Sequence, residues 1–141
     1  DYVFSWDKVL NFEGETGPYV QYTHARAASV LRNGGVSTDQ AHTKVSALKM
    51  EYIASDSAYD LARLIYRFPQ VVLDAAEKYE PSLVTRHIVD VAQGFNRFYH
   101  NEYILVDNED EKQAKLALVF AAKQTIRNGL TLLGIEAPER M

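Results

Sequence analysis

The sequence lacks cysteine, long apolar runs and an excess of basic charge. Zero cysteines exclude disulfides, thiolate metal sites and a cysteine nucleophile, and fit a reducing compartment. The sequence has no run of about 18 apolar residues, which a membrane-spanning helix would need. It also has no basic segment followed by an apolar one at its start, which a secretory signal would need. The net charge of −4 argues against non-specific binding along a nucleic-acid backbone, because that affinity needs many Lys/Arg–phosphate contacts. We expect a cytoplasmic monomer that has no membrane partner.

Signatures of common catalytic and metal sites are also lacking. The GETG turn at 14–17 is not followed by the Gly-Lys-Ser/Thr of a phosphate-binding loop, and there is no HExxH pair or GxSxG elbow. A Ser/His/Asp triad stays open, since one sequence does not exclude it. We therefore predict no metal, cofactor or catalytic residue on this chain. The histidines are scattered, with His87 expected to be a partly exposed helix residue: His24, His42, His87 and His100.

Helical periodicity dominates what is present, and it predicts one all-α domain, a bundle of about five to six helices. Thr16 is a plausible N-cap, Phe68-Pro69 is expected to break a helix, and the acidic run 107–111 is expected to be a solvated helix start. The polar stretch 34–48 predicts a surface loop. The predicted helices cover 2–11, 18–32, 50–66, 69–79, 81–101 and 110–133.

Aromatic residues recur at helical spacing in two places. Tyr19 and Tyr22 are three residues apart and Arg26 lies four beyond Tyr22, so the three share one helix face. Tyr99 and Tyr103 are four apart near the end of the 81–101 helix. Rings and guanidinium groups are typical of proteins that hold an unpaired base. The pattern alone leaves core packing and base binding both open, with packing the commoner case; Phe95, Phe98 and Phe120 are assigned to packing.

Four segments together carry a resemblance to a known family. They are EGETGPYVQYTHAR at 13–26, the Phe68-Pro69 pair, FNRFY at 95–99, and the ending NGLTLLGIEAPERM at 128–141. In this order they resemble the C-terminal part of arginyl-tRNA synthetases, the DALR-type anticodon-binding domain. The resemblance implies that 16–141 form the anticodon-binding bundle and that 1–15 are the end of the preceding catalytic domain. A start at Asp1, inside a folded-looking segment, also suggests a piece of a longer protein.

The resemblance further implies an activity for the longer protein, which would attach arginine to its tRNA using ATP and Mg²⁺. The HIGH-type and KMSK-type nucleotide-binding motifs are absent here, so the fragment alone is expected to be inactive and to bind the anticodon loop. All arginine codons share a middle G, so a reader of the middle anticodon C would serve every arginine tRNA. The family's anticodon contacts, carried onto this chain, are Tyr19, Tyr22, Arg26, Tyr99, Tyr103 and Met141.

Secondary expectations concern nearby polar residues. Tyr22, Arg26 and Tyr99 rank highest among the six predicted contacts, and Gln21 is expected to be a structural amide that holds the helix start. No basic run is present in 34–48. Phosphate contacts are therefore expected from dispersed cations, Arg32, Lys44, Arg67, Arg97 and Lys123.

Two other classes of function remain open from the residues themselves. One is a helical protein-interaction domain that docks partners through its aromatic rim. The other is a helical bundle that binds a small molecule, which an apolar cavity away from Tyr22 and Tyr99 would support.

Overall fold

A computed structural model describes residues 5–6, 16–37 and 47–141, and the described residues form helices and no strand. The all-α prediction is confirmed. Most of the predicted helix at 2–11 and most of the predicted loop at 34–48 lie outside the described residues. The elements are α1 (Gly17–Asn33), a 3-10 turn (Met50–Ile53), α2 (Asp56–Lys78), α3 (Ser82–Asn101) and α4 (Glu109–Leu132).

Three of the four helices begin at a side-chain cap. Thr16 accepts a hydrogen bond from the Tyr19 backbone N–H, as predicted. Ser55 and Asn108 do the same at the start of α2 and α4. Each cap satisfies one backbone N–H that the helix leaves without a partner. The cap at Ser55 also explains why the α-helix starts there and not at the predicted Met50.

The predicted break at Phe68-Pro69 is wrong, because α2 runs through Pro69 without ending. The two predicted helices at 50–66 and 69–79 are therefore one, and four α-helices are described where five to six were expected. An internal proline removes one backbone hydrogen bond and crowds the preceding turn, which costs about 3 kcal/mol. Packing of the apolar face of α2 against α3 offsets that cost, since Leu61 and Ala75 are buried on either side of Pro69.

The core lies between all four helices, and α3 and α4 contribute most of its buried residues. Phe95 and Phe98 are fully buried, as predicted, and Phe120 is half-buried against the same cluster. α2 packs mainly on α3, and α1 packs mainly on α4, which also contacts α3. This arrangement brings the outer face of α1 next to the end of α3.

The chain leaves α4 through a tight turn and returns along α1. Gly134 adopts φ +72° there, a left-handed conformation that favours glycine. The Ile135 N–H bonds back to the Leu130 carbonyl at 2.9 Å. Residues 134–141, called the tail below, then lie against α1. None of the helices described is both long enough and apolar enough to cross a membrane.

Candidate functional site

Arg26 lies at the centre of the site. Its guanidinium carbon Cζ is 4.9 Å from the ring centroid of Tyr22 and 5.3 Å from that of Tyr99. Nη1 donates to Asn96 Oδ1 at 2.6 Å, and Nη2 donates to the Tyr22 hydroxyl at 3.4 Å. Two rings from different helices therefore face one cation. Because a guanidinium carries five N–H donors, these two bonds do not exhaust it.

Asn96 connects the residues of this cluster, although it was not among the predicted site residues. Its Nδ2 donates to the Tyr19 hydroxyl at 2.9 Å and to Thr23 Oγ1 at 3.0 Å, while Oδ1 accepts from Arg26. One amide thus orients side chains from three positions of α1. Asn96 lies three residues before Tyr99, a spacing that shares a helix face and that was available in the sequence.

An open hollow of about 450 Å³ lies beside Arg26. Tyr22 and Tyr99, which line it, are 41% and 38% exposed, and Met141 is 59% exposed. Four of the six predicted residues are therefore brought to one surface by α1, α3 and the tail. We call this surface the aromatic hollow; it is lined by Tyr22, Ala25, Arg26, Ser29, Arg32, Tyr99, Arg140 and Met141.

The other two predicted residues lie outside that hollow. Tyr19 is half-buried, and its hydroxyl accepts a hydrogen bond from Asn96. Tyr103 is 88% exposed and lines a second hollow of about 440 Å³ at the end of α3. Tyr99 lines both hollows, so Tyr103 is a neighbour of the site and not part of its centre.

Lys115 of α4 binds the segment between α3 and α4 that contains Tyr103. Its Nζ donates to the Tyr103 carbonyl at 2.9 Å and pairs with Glu111 at 2.7 Å and Glu102 at 3.0 Å. Burial lowers the pKa of Lys115, but the hydrogen bonds to Glu111 and Glu102 outweigh it and leave the pKa raised. Lys115 is therefore charged in the folded protein. Glu109 and Asp110 of the acidic run are exposed in the first turn of α4, as predicted.

The tail is held along α1 through its carbonyl groups. Gln21 Nε2 donates to the Glu136 carbonyl at 2.9 Å, and Arg32 Nη1 donates to the Glu139 carbonyl at 3.0 Å. His24 Nδ1 lies 2.8 Å from the carbonyl oxygen of Pro138. Gln21 was expected to hold the start of the helix. This expectation is wrong, because the Gln21 amide binds the tail instead.

The expectation that Lys123 contacts phosphate is also wrong. The Lys123 side chain is 2% exposed and its Nζ pairs with Glu139 Oε1 at 2.7 Å. A buried ammonium needs a carboxylate partner, and the tail supplies one to Lys123. Of the other predicted phosphate contacts, Arg32 lines the aromatic hollow, Arg67 and Arg97 are exposed elsewhere, and Lys44 lies outside the described residues.

Two histidines are buried in the helical core. His24 is fully buried, and because a carbonyl only accepts, its Nδ1 donates to Pro138. Burial is the main cause that lowers the pKa of His24, and the charge of Lys123 adds to it. His87 is buried rather than partly exposed, since its Nε2 donates to the Leu64 carbonyl at 2.8 Å. Among the described residues, no group of His, Asp and Glu is arranged to hold a metal ion.

A third, more apolar hollow lies away from this site, between α2 and α4. It is open, measures about 660 Å³, and exposes Leu73 and Leu132. An apolar cavity away from Tyr22 and Tyr99 is the feature expected of a helical bundle that binds a small molecule. The other lining residues are Phe68, Pro69, Val72, Arg127, Asn128 and Thr131.

Comparison with known proteins identifies the class of this domain. Residues 20–141 match the family model of the DALR anticodon binding domain, and the chain belongs to that family. The resemblance read from the sequence is thereby confirmed.

Individual relatives are more specific. Over its whole length the chain is 52% identical to the arginine–tRNA ligase of Alkaliphilus metalliredigens, of which it covers 24%. It is similar in structure to the arginyl-tRNA synthetase of Thermus thermophilus, with a TM-score of 0.80, 34% identity, and coverage of 98% of this chain and 23% of that one. The enzyme of Plasmodium falciparum gives a TM-score of 0.81 at 25% identity, covering 100% and 24%. The chain thus spans about a quarter of the length of the curated relatives it matches.

Proposed function

We propose that this chain is the C-terminal anticodon-binding part of an arginine–tRNA ligase and that it binds the anticodon loop of arginine tRNAs. The observation that carries the proposal is Arg26 between the rings of Tyr22 and Tyr99 at an open surface. The names of the relatives support the arginine specificity. The longer protein would attach arginine to tRNA with ATP and Mg²⁺, while this part supplies binding alone, and residues 1–15 would join it to the catalytic domain.

The chemistry of the aromatic hollow suits a single cytosine. Cytosine presents ring-nitrogen and carbonyl acceptors beside an amino donor, so its reader must supply both a donor and an acceptor. The guanidinium of Arg26 supplies N–H donors, and the hydroxyl of Ser29 is an acceptor in the same hollow. The exposed parts of Tyr22 and Tyr99 supply stacking surface. We assign the middle anticodon C to this hollow.

The remaining predicted contacts take supporting roles. Met141 provides a flexible apolar side chain that packs on a base at the edge of the hollow. Tyr103 serves a neighbouring nucleotide through the second hollow. Tyr19 acts through Asn96 by fixing the position of Arg26, because its own ring is half-buried.

The test is a titration of the chain with an arginine-tRNA anticodon stem-loop and with one whose middle C is replaced. Tyr22→Ala and Tyr99→Ala should each weaken the matched complex roughly 5- to 150-fold, the equivalent of about 1–3 kcal/mol of stacking, with helicity unchanged. Tyr59→Ala is the matched control, since this tyrosine is 65% exposed on α2. Equal binding of both stem-loops would refute base reading, and capture of a protein partner without tRNA would favour an interaction domain.

A second candidate function is the binding of a small apolar molecule between α2 and α4. The exposure of Leu73 and Leu132 beside Phe68 favours it. An environment-sensitive apolar dye should then fluoresce with the chain, and Leu73→Asp should remove the signal without changing stem-loop affinity. Dye binding that survives Leu73→Asp would exclude this site.

A further inference from the structure

Glu139 connects the tail to two helices. The Glu139 side chain pairs with Lys123 of α4 at 2.7 Å, and its carbonyl accepts from Arg32 of α1 at 3.0 Å. One residue of the tail is thus held by two helices at once. The neighbouring carbonyl of Pro138 accepts from His24, which extends the attachment.

The Lys123–Glu139 pair is an unusual use of charge for a surface segment. Lys123 is 2% exposed, whereas the carboxylate partner is 38% exposed. A buried ammonium is stabilised by a carboxylate partner, so removing the Glu139 charge takes this compensation away from Lys123. The pair therefore ties the path of the tail to the position of α4.

Met141 follows Glu139 by two residues. Two residues of extended chain span at most about 7 Å, so the position of Glu139 limits where Met141 can lie. Met141 lines the aromatic hollow together with Tyr22 and Tyr99. A fixed Glu139 thus keeps the Met141 side chain beside the rings.

We propose that Lys123 and Glu139 are positioning residues for anticodon binding, because their ion pair delivers Met141 to the wall of the aromatic hollow. The inference rests on the proposed function. Neither side chain needs to touch RNA for this role. It also gives a reason for the glutamate in the PERM ending, which the binding function alone leaves without one.

The experiment is a double-mutant cycle on stem-loop affinity. Lys123→Met removes the charge and keeps the volume, and Met141→Ala removes the proposed contact. Each should weaken the matched stem-loop by about tenfold, in the range of one base contact, and the double variant should be no weaker than either single. Lys112→Met is the matched control, since it breaks a partly exposed ion pair with Glu109 on the same helix, away from the tail, and should bind as the unmodified chain does.

A second variant covers the case in which Lys123→Met does not fold. Glu139→Gln keeps an acceptor and removes the charge, and it should reproduce the loss of affinity and the lack of additivity with Met141→Ala. Circular dichroism and melting temperature identify the variants that fold. Effects that multiply in the double variant, or folded variants that bind normally, overturn the inference.

The outcomes also separate this inference from the proposed function. If the unmodified chain binds matched and base-swapped stem-loops equally, base reading fails and the positioning role fails with it. If the unmodified chain discriminates but Met141→Ala or Lys123→Met has no effect, only the positioning role fails.

Discussion

At the scale of single residues, the site depends on side chains that hold other side chains. Arg26 makes contact with two rings, yet its orientation comes from the Asn96 amide on another helix. Asn96 in turn bonds the Tyr19 hydroxyl and Thr23. A half-buried polar network of this kind is stable only when each member keeps its partners.

Asn96→Ala is therefore expected to affect both stability and binding. It leaves the Tyr19 hydroxyl and the Arg26 guanidinium without this partner, which should lower the free energy of unfolding by about 1–3 kcal/mol. Stem-loop affinity should fall as well, because Arg26 is no longer oriented. Urea denaturation and the stem-loop titration measure the two effects. Asn101→Ala, an exposed amide on the same helix, should lose no stability; an Asn96→Ala chain as stable as the unmodified one contradicts the network.

His24 should make the stability of the domain depend on pH. Burial lowers its pKa in the folded state below the usual value of about 6.5. As pH falls through 6.5 the unfolded chain takes up a proton that the folded chain does not, so the free energy of unfolding decreases toward acid pH. The decrease ends once the pH passes below the folded-state pKa, where both states are protonated.

The measurement compares the unmodified chain with His24→Asn, whose amide keeps a donor for the Pro138 carbonyl. Denaturation curves at several pH values between 8 and 5 should show a smaller loss of stability in the variant. Parallel pH profiles for the two chains would rule out His24 as the source.

At the scale of elements, close helix contact limits the residues that α3 and α4 can use where they meet. A Cβ built on Gly129 would lie 2.2 Å from Ile88 Cγ2, a distance that real side chains do not adopt. α4 therefore approaches α3 at a position where only glycine fits. The helical repeat of α4 was read correctly from the sequence, but this requirement was not, because it depends on the partner helix.

Gly129→Ala should destabilise the bundle despite the better helix propensity of alanine. Overpacking costs about 1–3 kcal/mol, and the propensity gain of about 1 kcal/mol offsets part of it. Ile88→Leu in the same chain moves the branch away from Cβ and should restore stability in part. The control is Gly17→Ala, where nothing lies within 4 Å. Thermal melts of the four chains test the prediction, which fails if Gly129→Ala raises the melting temperature.

At the scale of the whole molecule, the net charge of −4 leaves little general attraction for a nucleic-acid backbone. Beside Arg26, the aromatic hollow holds Arg32 and Arg140. Lys123, which was expected to add to the phosphate contacts, is buried. Among the described residues, few cations are therefore available for phosphate beside the aromatic hollow.

The salt dependence of stem-loop binding should accordingly be shallow. Two phosphate contacts predict a slope of about −1.4 in log K against log salt, at roughly −0.7 per contact for single strands. Arg140→Met should flatten the slope by about 0.7, while Arg63→Met, which removes an exposed arginine on α2, should not change it. A slope of about −5 or steeper would indicate an extended track along the RNA backbone instead.

The helical class, the cap at Thr16 and, to within one residue, the bounds of the last two helices were predictable from the sequence, because periodicity and capping are local properties. The sequence also grouped Tyr22 with Arg26, since a spacing of four fixes a shared face. The helix break predicted at Pro69 was wrong, because the packing of α2 on α3 outweighs the local preference of proline against helix.

Tertiary packing determines which residues from different helices meet. It brings Tyr99 of α3 beside Arg26 of α1, places Tyr103 at a second hollow, and makes Lys123 a buried partner of Glu139 rather than a surface cation. These contacts link positions far apart in the chain, and local patterns carry no information about the pairs. Burial and partner choice are properties of the packed bundle, which is why the face of α1 was predictable and the residues that complete it were not.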